Sequence, residues 1–482
     1  MPSTISFLLG RKPVTIDFCG SAAWSPAWTL LQYLRSLPDR KGTKEGCGQG
    51  DCGACTVVLA EPDREGRLKY SAVNSCLLFL PMVHGRQVLT VEDLKFPDGS
   101  LHPVQQAMID HYGSQCGFCT PGVVMTLFAL FKQKPHASAA EIRSALAGNL
   151  CRCTGYQPIF RAAQQCLALS GPERESSEEG STLAELNSIP PAEWEWTGKS
   201  EIYCRPKSLE QALEMIGRNP TLSPVHGATD LSLQVHLKHN PPPGILDLSA
   251  IPELRASRQE KEELILGSGM SLSDVAGHVR RTHPALEEML QRFGSAQIRN
   301  VATLGGNVGT ASPIGDALPA LMAYGAAVEL KSLAGSRTVP LSDFILGYRR
   351  TGIAPGEIIA AVRLPFPPPG ARIRAYKVSR RHDVDISTVN GAFRLQLDSD
   401  GRIREARLVF GGMSPFTRRA AGAEQALLGK EWSRAAAEEA AARLQEDFQP
   451  ISDVRGSAGF RRQVAANLLL KFWSDTRSGQ AP

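Results

Sequence analysis

The pattern of hydrophobic and polar positions divides the first 168 residues into two kinds of structure. Short apolar or alternating segments, typical of strands, flank one segment with helical spacing, TLLQYLRSL at 29–37. The strand-like segments are ISFLLG, KPVTIDF, TVVLA and LKYSAV. Amphipathic helical spacing then predominates in HPVQQAMIDHYG, PGVVMTLFALFKQ, SAAEIRSALAGNL and YQPIFRAAQQCLAL. We therefore predict a strand-rich domain over 1–86 and a four-helix domain over 87–168.

The rest of the chain separates into a tether and two further domains. Residues 169–195 are rich in Ser, Glu, Pro and Gly without an apolar period, which predicts a solvated linker. Within the next stretch, 196–370, residues 223–235 have the pattern of a strand, a tight glycine-containing turn and a helix start, with Thr229 and Asp230 as possible helix caps. Three strand-like segments precede three helix-like segments over 371–482, which predicts an α+β domain.

Composition narrows the class of protein. A chain of 482 residues with 42% hydrophobic and 21% charged residues is typical of a soluble globular protein of several domains. The net charge of +5 is dispersed, which does not favour a nucleic-acid partner, and no run of 18 apolar residues indicates a membrane span. The N-terminal sequence lacks the features of a signal peptide, so we expect a cytoplasmic protein whose cysteines serve metal or redox chemistry.

Cysteine spacing supplies the first candidate site. Cys47, Cys52, Cys55 and Cys76 have the C-x4-C-x2-C…C spacing of plant-type [2Fe–2S] proteins. Four glycines lie between positions 46 and 53, and glycine permits the positive φ that a loop wrapped around a cluster requires. Zinc also accepts four cysteines, but its sites more often carry two C-x2-C pairs than a glycine-filled x4 loop.

A second set of cysteines lies in the helical domain. Cys116 and Cys119 form C-x2-C and Cys151 and Cys153 form C-x-C, a combination that suits either zinc or an iron–sulfur cluster. Three further cysteines belong to no motif and are interpreted as small buried apolar side chains: Cys19, Cys166 and Cys204.

Two glycine-bearing stretches, 223–235 and 298–323, are candidates for binding a nucleotide. We expect Gly305, Gly306 and Asn307 to leave backbone amides open to a pyrophosphate, with hydroxyls from Thr310 and Ser312 nearby. Neither stretch has the G-x-G-x-x-G pattern of a Rossmann site, and from composition ordinary turns are an equal alternative.

Three motifs in order, KEGCGQGDCGACTVV, SQCGFCTPGVVM and GNLCRCTGYQPI, resemble the paired [2Fe–2S] domains of the molybdenum hydroxylases, the xanthine dehydrogenase and aldehyde oxidase family. The resemblance implies a β-grasp ferredoxin-like domain and a second [2Fe–2S] cluster on Cys116, Cys119, Cys151 and Cys153. It also implies that Gln115 and the residues around Cys153 face the molybdopterin.

HGATDL, TLGGNVGTASPIGD and AYKVSRRHDVD resemble the FAD domain of the same family, an α/β fold of the PCMH or VAO type. The flavin contacts that this implies are Pro224, Val225, His226, Gly227, Ala228, Thr229, Asp230, Leu231, Phe293, Thr303, Leu304, Gly305, Gly306, Asn307, Asp316 and Lys377. Asp230 departs from the Glu that is frequent in the dehydrogenases, which affects the tuning of the flavin rather than its binding. The segment from Arg380 to Asp383, including Arg381 and His382, corresponds to one near the flavin and nicotinamide pocket, although such charge runs are most often solvated loops.

The function implied is that of an electron-transfer subunit with no catalytic residue for substrate oxidation of its own. Electrons would enter from a large molybdopterin-binding partner, cross two [2Fe–2S] clusters and leave from FAD to NAD⁺. Fusion of the iron–sulfur and FAD parts favours the xanthine-oxidising members, and their organisation implies an α2β2 heterotetramer. The alternatives are the equivalent subunit of a hydroxylase for an aldehyde or another N-heterocycle, and a molybdenum-free iron–sulfur flavoprotein reductase with zinc in its helical domain.

Overall fold

The computed structural model describes residues 3–20, 24–168, 176–198 and 201–477. The chain forms two compact units. The first comprises Met1–Pro252 together with Ser295–Ala302, and the second comprises Glu253–Gly294 and Thr303–Pro482. A short segment from the middle of the chain thus belongs to the first unit, although the residues on both sides of it belong to the second.

The first unit begins with a five-stranded mixed sheet and one helix. Its elements are β1 (Thr4–Leu9), β2 (Lys12–Asp17), α1 (Leu30–Ser36), β3 (Thr56–Pro62), β4 (Leu68–Asn74) and β5 (Gln87–Leu89). The strand order is β2-β1-β5-β3-β4, with β1 parallel to β5 and the other pairs antiparallel. A capping box between Thr29 and Gln32 starts α1, whose apolar face packs on the sheet. The β-grasp prediction is confirmed.

Four helices follow: α2 (Pro103–Asp110), α3 (Thr120–Gln133), α4 (Ala139–Leu146) and α5 (Gln157–Ala168). Helix α3 is the central one, because its residues from Gly122 to Phe131 are all buried. Ser138 and Glu141 form a capping box that starts α4. The predicted four-helix domain is confirmed, and the amphipathic spacing gave its helices to within a few residues.

The prediction of a solvated tether over 169–195 is wrong for much of its length. Residues 169–175 lie outside the described part of the chain, but helix α6 occupies Ser176–Ser188. Glu179 on this helix accepts hydrogen bonds from the Tyr70 hydroxyl at 2.9 Å and from Lys132 Nζ at 2.8 Å, and Leu186 is buried. Contacts with β4 and α3 therefore stabilise a helix that its composition did not indicate.

The first unit ends in a four-stranded sheet and a helix. These elements are β6 (Trp194–Thr197), β7 (Ile202–Arg205), α7 (Leu209–Arg218), β8 (Leu222–Val225) and β9 (Gly244–Asp247). Strands β7, β9 and β8 are parallel neighbours, and β6 pairs antiparallel with β7. In its core, Arg205 Nη1 lies 2.8 Å from Asp247 Oδ2, which also accepts the Tyr203 hydroxyl at 2.9 Å.

The second unit opens with an antiparallel sheet in the order β10-β11-β16-β12-β13. In chain order its elements are β10 (Ser257–Glu260), β11 (Glu263–Gly267), α8 (Leu272–Val279), α9 (Pro284–Gln291), then α10 (Ala296–Arg299) of the first unit, α11 (Leu304–Thr310), α12 (Ala317–Tyr324), β12 (Ala327–Ser332), β13 (Gly335–Pro340), α13 (Leu341–Phe344), β14 (Ile345–Gly347), β15 (Arg350–Thr351) and β16 (Ile358–Pro365).

A second sheet and three helices complete this unit. They are β17 (Arg372–Val378), β18 (Val389–Leu397), β19 (Ile403–Gly411), β20 (Arg418–Arg419), α14 (Ala421–Leu427), α15 (Arg434–Asp447) and α16 (Ala458–Thr476). The phenyl rings of Phe410 and Phe472 pack against Phe393 with centroids 4.9 and 5.5 Å away, which joins the sheet to α16. The predicted α+β character is confirmed. Within the described ranges, no helix has both the length and the apolar character needed to cross a bilayer.

Candidate functional site: two cysteine loops and the flavin segments

The loop between α1 and β3 carries Cys47, Cys52 and Cys55, and Cys76, which follows β4, joins them. Cys55 and Cys76 are buried, with their Sγ atoms 3.3 Å apart. Gly48, Gly50 and Gly53 adopt φ values of 65°, 81° and 71°, a region that glycine enters without strain. The loop can therefore turn around a shared centre while keeping its thiols on the inside.

Cys47 and Cys52 form the other pair of this set. The Cys52 thiol, with backbone N–H groups that include those of Gln49 and Asp51, lowers the pKa of Cys47 to about 5. Those two amides lie 3.4 and 3.3 Å from the Cys47 sulfur. N–H groups directed at a thiolate favour its charged form and also raise the potential of a cluster bound there.

The second cysteine set lies at the end of the helical domain. Cys119 is the N-cap residue of α3 and Cys116 precedes it, whereas Cys151 and Cys153 lie in the loop between α4 and α5. Hydrogen bonding joins Cys116 with Cys153 and Cys119 with Cys151. Burial and then the Cys151 sulfur raise the pKa of Cys119 to about 12. Cys119 thus lies at a helix end, and Cys151 and Cys153 lie in a loop.

Both sets fit a two-iron cluster in the same way. A [2Fe–2S] cluster has two irons and four cysteine ligands, so each iron takes two protein sulfurs. In both sets the four sulfurs form two hydrogen-bonded pairs, so each iron would take its two sulfurs from one pair. Across the described ranges, no three side chains among His, Cys, Asp and Glu converge as ligands of a single ion.

The loop that carries Cys52 and the loop that carries Cys151 contact each other directly. The Leu150 amide, next to Cys151, donates a hydrogen bond of 2.9 Å to the carbonyl oxygen of Cys52. Asn74, the last residue of β4, donates from Nδ2 to the carbonyl of Gly50 at 2.8 Å and so stabilises the first loop. Sequence reasoning predicted the cysteines and missed Asn74, for which no spacing gives a signal.

The first predicted flavin segment, 224–231, belongs to the first unit. It continues from β8 into a tight turn, where Ala228 has φ of 58°, an uncommon conformation for a residue with a side chain. A Cβ on Gly227 would lie 1.8 Å from the carbonyl oxygen of Val301, so only glycine fits there. The segment 295–302 thus presses against this turn and fixes its course. A short π-helical stretch, Leu233–Leu237, follows this turn, and its N-cap residue Ser232 makes no side-chain capping hydrogen bond.

The second segment, 303–307, belongs to the second unit, and one expectation about it is wrong. The amides of Gly305, Gly306 and Asn307 are not open, because they donate to Ser268 O, Thr303 Oγ1 and Thr303 O at 2.8, 3.2 and 3.0 Å. The glycines form the first turn of α11, where the Ser268 carbonyl, the Thr303 cap and a helix hydrogen bond use these donors. The buried Asn307 Oδ1 has no hydrogen-bond partner among the described residues, so it could accept a hydrogen bond from a polar group of a ligand.

The structure brings two other predicted flavin positions together. Lys377 Nζ lies 2.6 Å from Asp316 Oδ2 and donates to the carbonyl of Arg292, next to the predicted contact Phe293, at 3.1 Å. Ser387 and Asn390 donate to the other Asp316 oxygen. This is a buried, hydrogen-bonded ion pair, and Ser387 and Asn390 were not predicted from the sequence.

The residues without a motif fall into two groups. Cys166 and Cys204 are buried as predicted, but Cys19 is exposed, with its sulfur 3.6 Å from Ser3 Oγ, so the prediction of a buried side chain is wrong there. Residues 380–383 form an exposed loop in which His382 Nδ1 lies 2.9 Å from Asp383 Oδ1.

Comparison with known families gives three consecutive matches. Residues 90–164 match a [2Fe–2S] binding domain, residues 197–367 the FAD binding domain in molybdopterin dehydrogenase, and residues 374–476 the CO dehydrogenase flavoprotein C-terminal domain. These domains indicate the small and medium subunits of the molybdenum hydroxylases. The matches support binding of [2Fe–2S] and FAD and an oxidoreductase class, and they agree with the predicted folds.

Individual relatives extend the match over nearly the whole chain. Xanthine dehydrogenase 2 of Arabidopsis thaliana is 33% identical over 92% of this chain, and xanthine dehydrogenase/oxidase of Gallus gallus is 31% identical over 97%. The chain spans only 38% and 40% of those two proteins. Carbon monoxide dehydrogenase from Hydrogenophaga pseudoflava aligns with 59% of this chain and 96% of its own, at a TM-score of 0.54 and 27% identity. Quinoline 2-oxidoreductase from Pseudomonas putida 86 shares the fold, at a TM-score of 0.53 and 24% identity.

Proposed function

We propose that this chain is the iron–sulfur and FAD electron-transfer subunit of a xanthine dehydrogenase, working with a large molybdopterin-binding subunit and NAD⁺. The observation that carries the proposal is the hydrogen bond from the Leu150 amide to the Cys52 carbonyl. It joins the loop that carries Cys52 to the loop that carries Cys151, and these loops belong to two cysteine sets that each present four sulfurs in pairs. Two one-electron centres in such contact suit relay of electrons better than independent structural roles.

The chain's own residues would hold three groups. Cys47 and Cys52 would bind one iron of the first cluster and Cys55 and Cys76 the other. In the second cluster, the pairs are Cys116 with Cys153 and Cys119 with Cys151. The FAD contacts are proposed at 224–231, Phe293, 303–307, Asp316 and Lys377. When bound, the clusters would carry one electron at a time, and FAD would collect two electrons and pass both to NAD⁺.

The choice of xanthine is supported by the relatives. Xanthine dehydrogenases match 92–98% of the chain at 30–33% identity, across the iron–sulfur and FAD parts in one polypeptide. The solved carbon monoxide and quinoline enzymes align with 56–59% of it at 24–27% identity. Those structures favour, as the second candidate, the equivalent subunit of a hydroxylase for another substrate. An α2β2 assembly is part of the proposal by analogy with the family.

The experiment is purification of the chain under native conditions from its own host, followed by metal and flavin analysis. The proposal expects four irons, one FAD and no zinc per chain, molybdenum on a co-purifying large polypeptide, and NAD⁺ reduction that depends on xanthine. Parallel assays with quinoline and with an aldehyde test the second candidate. Assays with oxygen in place of NAD⁺ test the electron acceptor. Two irons with one zinc, and neither molybdenum nor a partner, would overturn both candidates.

A further inference from the structure

A fully buried glutamine lies next to the loop that carries Cys151. Gln297 is 0% exposed and is carried by α10, within the segment Ser295–Ala302 that packs into the first unit. Its Nε2 has three acceptors: Thr126 Oγ1 at 2.9 Å, Asn149 Oδ1 at 2.9 Å and the carbonyl of Ala145 at 3.3 Å. The buried amide nitrogen therefore has its hydrogen bonds, whereas Gln297 Oε1 has no hydrogen-bond partner among the described residues.

The directions of these hydrogen bonds are fixed by chemistry. Thr126 Oγ1 donates its one hydrogen to Asn149 Oδ1 at 2.7 Å, so towards Gln297 it can only accept. The amide nitrogen of Gln297 must therefore face this group, and Asn149 Oδ1 accepts from both neighbours. Asn149 is thereby oriented with its own Nδ2 towards the first cysteine loop.

Asn149 completes the connection between the loops. Its Nδ2 donates to the carbonyl of Gly53, between Cys52 and Cys55, at 3.1 Å, and to Thr56 Oγ1 at 3.3 Å. In the sequence, Asn149 lies two residues before Cys151. Gln297, Thr126 and Asn149, which we term the buried amide cluster, thus form one directional chain of hydrogen bonds from α10 to the first loop.

Three glycines make room for this cluster. A Cβ on Gly53 would lie 2.3 Å from the carbonyl oxygen of Gly148, and one on Gly122 would lie 2.1 Å from the carbonyl oxygen of Gly53. A Cβ on Gly148 would lie 2.2 Å from Gln297 Oε1. The first loop, α3 and the Asn149 loop therefore meet at backbone contact distance, and the Gln297 side chain lies directly against the Asn149 loop, so even a methyl group does not fit there.

We propose that Gln297 is a positioning residue for intercluster electron transfer: through the buried amide cluster it fixes the separation of the Cys52 and Cys151 loops. The proposal rests on the proposed function, since it assumes that both sets of cysteines carry clusters. The Leu150–Cys52 hydrogen bond lies between the same two loops, so its opening reports on their separation directly.

The test compares Gln297→Met and Thr126→Val with Thr126→Ser in the iron-loaded full chain. Methionine and valine keep the approximate shape and remove the hydrogen bonds, whereas serine keeps the hydroxyl. In the first two variants, we expect exchange of the Leu150 amide, followed by mass spectrometry of a peptide spanning 146–151, to accelerate about tenfold or more. We also expect a weaker magnetic interaction between the two reduced clusters by EPR, with Thr126→Ser like the wild type.

The outcomes separate the inference from the proposed function. Unchanged exchange and unchanged magnetic interaction in fully loaded Thr126→Val would overturn the positioning role. Loss of a single iron–sulfur cluster from Thr126→Val, with Leu150 exchange unaltered, would also overturn the positioning role. The buried amide cluster would then support one loop only. A wild-type chain with two irons and one EPR signal would instead refute the proposed function, and amide exchange would still show whether Gln297 holds the loops together.

Discussion

Lys377 and Asp316 form a buried ion pair, with Nζ 2.6 Å from Oδ2 and side chains that are 1% and 9% exposed. The lysine charge is therefore balanced within the protein and is not free to neutralise a ligand phosphate. Lys377 and Asp316 would serve a flavin by offering polar atoms at fixed positions. Removal of one partner would leave a buried charge without its counter-ion, which typically costs about 3–5 kcal/mol.

Asp316→Asn tests this pair, because asparagine keeps the shape and removes the charge. We expect the free energy of unfolding to fall by about 3 kcal/mol and FAD affinity to decrease. Urea unfolding of the FAD-free protein and fluorescence titration with FAD measure the two effects. The exposed Asp343 provides the matched control, Asp343→Asn, and adding Lys377→Met to Asp316→Asn should recover most of the stability. Equal unfolding curves for Asp316→Asn and Asp343→Asn would contradict the assignment.

Gly306→Ala tests the proposed flavin segment at its most accessible glycine. Gly306 is exposed, and an added Cβ would meet only the Thr303 hydroxyl, at 2.9 Å, whereas one on Gly305 would lie 2.4 Å from Ser268 Cβ. We expect Gly306→Ala to fold, to disturb the Thr303 cap by about 1 kcal/mol, and to bind FAD more weakly. Gly309→Ala on the same helix is the control. Equal FAD dissociation constants for the two variants would remove 303–307 from the proposed site.

Cys52→Ser tests the first cluster, since it removes one sulfur of the Cys47 pair. We expect the plant-type EPR signal to disappear and iron to fall from four to two per chain, with FAD retained. Cys19→Ser is the control, because Cys19 is an exposed cysteine outside both sets. An unchanged EPR spectrum in Cys52→Ser would contradict the assignment of the first cluster to this cysteine set. Cys153→Ser should remove the other signal and leave the first.

The fold could be predicted from the sequence because local periodicity and packing agree. The strands around Ile5 and Val57 and the helix around Leu127 have fully buried apolar residues at the positions that the pattern predicted. The cysteine sets could be recognised because ligand spacing in a loop is itself a sequence signal. The pairing of their sulfurs follows from the course of the chain and was not predicted.

The remaining features depend on contacts between residues far apart in the chain. Gln297 contacts Thr126 and Asn149 across more than a hundred residues, so no local pattern could reveal it. Helix α6 is stabilised by what Glu179 contacts rather than by its composition. The amides of Gly305 and Gly306 were predicted to be open, since sequence does not show that a helix begins at Leu304.

Glu179→Gln tests the attachment of α6. The carboxylate accepts from Tyr70 and Lys132, and glutamine keeps the shape while removing the charge that pairs with the lysine. We expect backbone amides of 179–188 to exchange several-fold faster, corresponding to a loss of about 1 kcal/mol for a partly exposed pair. Glu185→Gln, at an exposed position of the same helix, should exchange like the wild type. Identical protection in both variants would show that apolar contacts such as that of Leu186 hold the helix.

His84 gives the first unit a dependence on pH. Its Nδ1 accepts the Ser6 amide at 3.0 Å, so Nε2 carries the proton and donates to the Pro190 carbonyl at 3.0 Å. Burial, and secondarily the charge of Arg205, lowers its pKa from about 6.5 to about 4. The unfolded chain therefore takes up a proton as the pH falls below about 6.5, and the folded chain does so only near 4.

The free energy of unfolding should thus lose about 1 kcal/mol per pH unit from this group as the pH falls from about 6.5 towards 4, with no change above that range. Denaturant unfolding at a series of pH values measures the slope. His84→Gln should flatten it, whereas His382→Gln, at an exposed position, should leave the wild-type slope. If both variants kept the wild-type slope, another group would govern the pH dependence and the neutral, half-buried His84 would contribute nothing to it.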